Sequence, residues 1–108
     1  MTNEERYAEL VRAFLGRPGV SQDGKGFGSS ALKVRGGIFA MLSSRGQFVV
    51  KLPAQRVNEL VAAGEGDRLD AGKGRPLKEW LAVRADSSRE WVALAEEAMA
   101  FVDGAAGR

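Results

Sequence analysis

The chain has 108 residues, of which 44% are hydrophobic and 28% are charged, a composition typical of one folded domain. It contains no cysteine and no histidine, so disulfides, thiolate nucleophiles and the usual metal ligand are excluded. Its first residues lack the basic and then apolar run of a signal peptide, and no apolar stretch could span a bilayer. We therefore expect a cytoplasmic protein with no metal, no cofactor and no membrane attachment.

The net charge is only +2, but the basic residues are concentrated in the middle of the chain. Residues 25–84 contain eleven basic and five acidic side chains, whereas the two ends together are acidic. This asymmetry favours an anionic partner for the middle segment, although a solvated basic surface would give the same pattern.

The first predicted helix begins with Thr2 and Glu5, which have capping-box spacing, and residues 7–15 carry its apolar stripe. Gly16 suits the left-handed position that ends a helix. The polar, glycine-rich segment 16–30 is then predicted to be a mobile loop.

Residues 19–26 within this loop come close to a phosphate-binding P-loop. Gly26 stands where a hydroxyl side chain would hold magnesium, and no predicted helix follows to direct its amides at phosphate. We expect a flexible connection here rather than a nucleotide site.

Residues 31–35, 38–42 and 47–52 are predicted to form three antiparallel strands. Gly36-Gly37 suits a two-residue hairpin turn, and residues 43–46 supply the next connection. The chain would thus enter a meander directly after the loop.

These two turns give the strands one parity, in which Val34 faces Phe39, Leu42 faces Gln47 and Met41 faces Phe48. One face would be apolar and would cover the core: Leu32, Val34, Phe39, Met41, Phe48, Val50 and Leu52. The other face would mix apolar and basic side chains: Ala31, Lys33, Arg35, Ile38, Ala40, Leu42, Gln47, Val49 and Lys51.

A second predicted helix has Pro53 in its first turn, carries Val57, Leu60 and Val61 as its apolar stripe, and ends at Gly64. Two further strands follow, a short one at 68–69 and a longer one at 77–85.

The last predicted helix begins near Ser87, which has capping-box spacing to Glu90, and ends near Gly104, before a frayed tail at 104–108. The fold class predicted is α+β, a single domain of order α-β3-α-β2-α, with an antiparallel sheet and helices packed mainly on one face.

The longer late strand decides what the mixed face contains. If it joins the meander with Leu81 and Val83 toward the core, its other side adds basic residues and an indole to that face. Cations could then hold phosphates while the aromatic ring stacks on a base: Lys33, Arg35, Lys51, Lys78, Trp80 and Arg84. Trp80 would alternatively be covered, as large apolar side chains in small domains usually are.

An apolar group lies on the same predicted face and would suit a protein partner or a second copy of the chain: Ile38, Leu42 and Val49. Catalysis is not expected, because the serines have no histidine to act as a base and no pair of carboxylates converges. We predict no catalytic residue and no enzyme activity.

A resemblance to a known family rests on residues 26–28, 31–42, 49–53 and 78–80, and on a closing helix with two aromatic residues. These stretches resemble the N-terminal domain of TfoX/Sxy proteins, and the related YjbR/MmcQ proteins look similar. The resemblance implies a small α+β domain over residues 1–108, with a role in competence-gene regulation or DNA binding. It implies no catalytic residues.

Two functions follow from these patterns. The first is a regulatory module that binds nucleic acid, for which four neutralised phosphates would give a logarithmic salt slope of about −3.6 on duplex. The second is an adaptor that docks a regulatory protein or forms a homodimer through its apolar group, with an affinity that survives added salt.

Overall fold

The computed structural model describes residues 2–22, 31–43, 45–70, 76–84 and 90–106. Its elements are α1 (Asn3–Phe14), β1 (Val20–Gln22), β2 (Leu32–Val34), β3 (Gly37–Leu42), β4 (Phe48–Lys51), α2 (Ala54–Ala62), β5 (Gly66–Asp70), β6 (Pro76–Val83) and α3 (Trp91–Ala106). The described strands form one antiparallel sheet in the order β1-β2-β3-β4-β6-β5. The α+β class is confirmed, and so is the pairing of the last strand with the meander.

One strand more than predicted precedes the meander. The segment 16–30 was expected to be a loop, but β1 pairs with β2 through Val20 and Val34. Two of the three β1 side chains are exposed, so the strand carries no apolar alternation that a sequence pattern could reveal. Residues 23–30 of the predicted loop lie outside the described residues.

The capping box at the start of α1 is confirmed. The Glu5 amide donates to Thr2 Oγ1 at 3.1 Å, and the Thr2 amide donates to Glu5 Oε1 at 3.0 Å. The helix ends just before Gly16 as predicted, with Leu15 as its C-cap, but Leu15 is 43% exposed and is not part of the buried stripe. The left-handed glycine of this connection is Gly19, with φ of 78°, and not Gly16.

Gly64 ends α2 as predicted, whereas Pro53 is the N-cap residue and lies just before the first turn. Gly64 has a φ of 78°, and its amide donates to the Val61 carbonyl at 3.1 Å. The Glu65 amide donates to the Leu60 carbonyl at 3.0 Å, which completes a Schellman motif. These two bonds satisfy carbonyls that the helix end would otherwise leave unpaired.

α3 continues past its predicted end. The helix includes residues 104–106, which were expected to begin a frayed tail, so the cost of about 1 kcal/mol for glycine at 104 does not end it. The predicted cap at Ser87 and the last two residues, 107 and 108, lie outside the described residues.

All three described helices add buried side chains to one core on one side of the sheet. Tyr7 and Phe14 of α1 lie 6.2 and 5.8 Å, centroid to centroid, from the rings of Phe48 and Phe39. Trp91 of α3 stacks on Phe48 with centroids 4.3 Å apart. The opposite side of the sheet, which we call the outer face, is not covered by any described helix.

Candidate functional site

Cross-strand pairs define which side chains lie on the outer face, because residues directly opposite each other in an antiparallel sheet share a face. Val50 pairs with Leu81, and both belong to the core. The alternate pairs therefore lie on the outer face: Lys33 with Ile38, Met41 with Val49, Val49 with Ala82, and Lys51 with Trp80. Val34 and Phe48 both lie in the core, so the parity on which the predicted site depended is correct at these positions.

The β2–β3 turn differs from the prediction. The two turn residues are Arg35 and Gly36, with φ of 50° and 85°, so Val34 pairs with Gly37. Positive φ at both central residues is the pattern of the primed turns that suit hairpins. The predicted Gly36-Gly37 turn is wrong by one residue, since Gly37 belongs to β3.

The shifted turn keeps Ile38 on the outer face as predicted, but a β-bulge then changes the parity of β3. Lys33 pairs with Ile38, whereas Leu32 pairs with Ala40, which leaves Phe39 as the extra residue. Phe39 and Ala40 are both fully buried in the core, so two successive side chains point to the helices. Beyond the bulge the alternation of β3 is reversed relative to the prediction.

This reversal removes Leu42 from the predicted partner surface. Leu42 pairs with Phe48, not with Gln47, and its side chain packs against the core. The Ser43 amide donates to the Gln47 carbonyl at 2.8 Å, which places the loop one residue later than expected. Met41, predicted to be in the core, lies on the outer face instead.

Val49 is on the outer face as predicted, but it is 0% exposed. A fully buried side chain offers no surface to a partner. Of the three apolar residues predicted to form a partner surface, only Ile38 is both on this face and partly exposed.

Arg35 is also removed from the predicted basic face. It occupies the β2–β3 turn, and its Nε donates to Asp103 Oδ1 of α3 at 2.6 Å. The guanidinium therefore points to the helical layer and contributes to holding α3 on the sheet.

Two other arginines are paired with carboxylates of α3 in the same way. Arg17 lies 2.8 Å from Glu96, and Arg56 binds both carboxylate oxygens of Glu97 at 2.8 and 3.2 Å. The hydrogen bond to Glu97 raises the pKa of Arg56 above its ordinary value. Nothing in the sequence pattern indicates that Glu96 and Glu97 meet arginines from distant segments.

Lys51 and Lys78 are in a different situation. The Lys51 Nζ lies 5.5 Å from the centroid of the Trp80 ring, within the range of a cation–π contact. Lys78 is exposed and lies two residues before Trp80 on β6. Across the described ranges, neither lysine forms an ion pair with a carboxylate. Trp80 itself is half-buried, so its ring is covered only in part.

Two further predicted residues lie at the margins of this group. Lys33 is half-buried on β2 and belongs to the outer face. Arg84 is exposed directly after β6, where its amide donates to the Glu65 carbonyl at 3.0 Å. The face also carries an acid, since the exposed Asp67 pairs with Ala82 on the β5 side.

A groove lies beside Trp80, where β4 ends and β6 continues. Its volume is about 370 Å³, and it is lined by Ala54, Leu77, Lys78, Glu79 and Trp80. The chain leaves the sheet at Leu52, whose amide donates to the Glu79 carbonyl at 2.9 Å. This groove was not predicted from the sequence, because the groove depends on the unequal lengths of β4 and β6.

Other chemistry is sparse in the described part of the chain. Burial raises the pKa of Tyr7 above its ordinary value, and its hydroxyl donates to the Ala40 carbonyl at 3.4 Å. Among the residues that the structure describes, no group of three or more carboxylates could hold a metal ion.

No helix in the described ranges combines the length and the apolar character needed to cross a membrane.

Comparison with protein-family models, curated proteins and solved structures finds no match to the chain. The resemblance to the TfoX/Sxy N-terminal domain therefore stays a prediction. Any function rests on the geometry of the outer face.

Proposed function

We propose that the chain is a non-enzymatic regulatory module that binds nucleic acid on the outer face of its sheet. The observation that supports this function most strongly is the grouping of Lys51, Lys78 and Trp80 on that face. Within the described residues the two cations have no carboxylate partner, so they can hold phosphates while the half-exposed indole stacks on a base.

The contrast between the two sides of the sheet supports the same conclusion. Arg17, Arg35 and Arg56 on the helical side are engaged by carboxylates of α3. An arginine already paired in this way must give up a hydrogen-bonded partner before it binds phosphate, whereas Lys51 and Lys78 need not. Among the described residues, Lys51 and Lys78 therefore place positive charge without a carboxylate partner on the outer face.

Lys33 and Arg84 extend this basic group, and the resemblance to the TfoX/Sxy N-terminal domain gives it a regulatory context. The alternative function, an adaptor or homodimer, depended on three apolar residues. Leu42 faces the core and Val49 is fully buried, so this surface is much smaller than predicted.

The test is fluorescence anisotropy with a labelled DNA of about 12 nucleotides, as a single strand and as a duplex, at salt concentrations from about 50 to 200 mM. The protein should bind with an affinity that falls as salt rises. A Lys51→Gln/Lys78→Gln variant should weaken binding and flatten the logarithmic salt slope by about 0.7 to 0.9 per lysine.

The matched control removes the same charge elsewhere, as Arg12→Gln/Arg45→Gln, since both arginines are exposed and distant from Trp80 in the sequence. This control should keep most of the wild-type slope. Absence of salt-sensitive binding to both DNA forms, or equal losses in the two variants, would overturn the proposal. A light-scattering mass of two chains without DNA binding would favour the adaptor instead.

A further inference from the structure

We infer that the outer face selects single-stranded over duplex nucleic acid and takes one unstacked base in the groove beside Trp80. This inference rests on the proposed function and names the form of nucleic acid that the same site would bind. It depends on three observations: the charge of the helices, the shape of the groove, and the partial exposure of the indole.

The helices are poorly suited to a DNA major groove. α1 carries three acidic and two basic residues, α2 carries one of each, and α3 carries three acidic residues and no basic one. A helix that enters the major groove passes between two phosphate backbones, so an acidic helix is repelled and a neutral helix gains no electrostatic attraction. Within the described helices, none offers the basic surface that reading of duplex DNA requires.

The sheet offers a better surface for a single strand. Proteins that bind single strands place a base on an aromatic side chain at a sheet surface while cations follow the backbone. Trp80 is half-buried on β6. On the same face, Lys51 lies directly opposite it on β4, and Lys78 lies two residues before it on β6. A duplex keeps its bases stacked and would leave this ring without a partner.

The groove fits one base and not several. Its volume of about 370 Å³ is at the lower end of the range for small-molecule pockets, about 300 to 1,000 Å³. Leu77 and Ala54 also line the groove. A planar base that leaves its stack would bury its faces against these side chains.

The two lysines determine which part of the nucleotide stays outside. Lys78 lines the groove, and the Lys51 Nζ lies 5.5 Å from the centroid of the Trp80 ring. The phosphates would remain near these two ammonium groups while the base enters beside the indole.

The experiment uses the whole chain and two competitors of equal length, about 12 nucleotides, one a single strand and the other its duplex. The single strand should bind at least about tenfold more tightly and should quench tryptophan fluorescence. Trp80→Leu should lose about five- to 150-fold in affinity for the single strand, and Trp80→Phe should restore part of it. Thermal melting checks that each variant is folded.

The outcomes separate this inference from the proposed function. If duplex binds as tightly as single strand, with the same dependence on Lys51 and Lys78, the inference is overturned and the proposed function stands. If Trp80→Leu binds the single strand as tightly as wild type, the inference is also overturned. If neither form binds, both the inference and the proposed function are refuted.

Discussion

Substitution of Gly37 by alanine tests how closely α3 packs against the β2–β3 hairpin. A Cβ at this position would lie 2.7 Å from Val102 Cγ1, about 0.7 Å inside the 3.4 Å at which ordinary contacts begin. Gly37 has no positive φ, so alanine adds no backbone strain and only the packing conflict remains. Overpacking of a core costs about 1 to 3 kcal/mol, of which the lower chain entropy of alanine offsets up to about 1 kcal/mol.

We therefore expect Gly37→Ala to lower the free energy of unfolding by about 1 to 2 kcal/mol, measured by urea denaturation followed by circular dichroism. Val102→Ala removes the conflicting methyl group, so Gly37→Ala should cost little in that background. Val92→Ala is the matched control, because Val92 is on the same helix but is 41% exposed. An equal cost of Gly37→Ala in all three backgrounds would refute the packing argument.

Four further substitutions test other parts of the structure. Gly66→Ala places a Cβ 2.6 Å from a β6 backbone carbonyl, which cannot rotate away, so the free energy of unfolding in urea should fall by about 2 to 3 kcal/mol. Gly64→Ala is the comparison, because Gly64 is left-handed but has open space around it, and it should cost about 1 kcal/mol. Similar losses for the two variants would contradict this expectation. Thr2→Ala removes the α1 cap and should cost about 1 kcal/mol in thermal melting, and an unchanged stability would show that the cap contributes nothing. The Thr2 backbone amide also lowers the pKa of Glu5 below its ordinary value of 4.5. The stability that this hydrogen bond contributes is therefore present above pH 4.5 and is lost as the pH falls through the lower folded pKa. Glu5→Gln should abolish that loss in a profile of stability against pH, and an unchanged profile would contradict this. Arg56→Gln should cost about 0.2 to 1 kcal/mol at low salt and less at about 1 M salt, and a salt-independent loss would rule out an ion-pair origin.

Periodicity predicted the elements whose apolar residues recur regularly. Apart from Leu15, which is 43% exposed, the stripe of α1 gave correct core positions, as did the alternation of β2, β4 and, at Leu81 and Val83, β6. Burial against one sheet face imposes those periods. It could not show β1, whose three residues pair through backbone groups and whose side chains are mostly exposed.

The β3 strand shows where local patterns reach their limit. The residues 35–37 allow a two-residue turn at either of two positions, and both satisfy the hairpin pattern. The choice is made by tertiary contacts, since Gly37 packs against Val102 and the bulge lets both Phe39 and Ala40 reach the core. The bulge reverses the alternation after Phe39, so the prediction placed Leu42 on the wrong face and made the partner surface too large.

The alternation of residues along the strands predicts only part of the basic site. Alternation placed Lys51 and Trp80 on one face, and the structure brings them into contact. The role of Arg35 could not be predicted, because its partner Asp103 is 68 residues away in the sequence. The separation of paired arginines from available lysines is a property of the folded chain.

Chemical-shift mapping by NMR tests the central claim most directly. On addition of a single-stranded oligonucleotide to the ¹⁵N-labelled protein, the amides of Lys51 and Lys78 and the indole N–H of Trp80 should shift most. Amides of α3 near Glu96 and Asp103 should remain unchanged. Shifts concentrated on the helical layer, or no shifts at a concentration that saturates anisotropy, would contradict the assignment of the outer face as the binding surface.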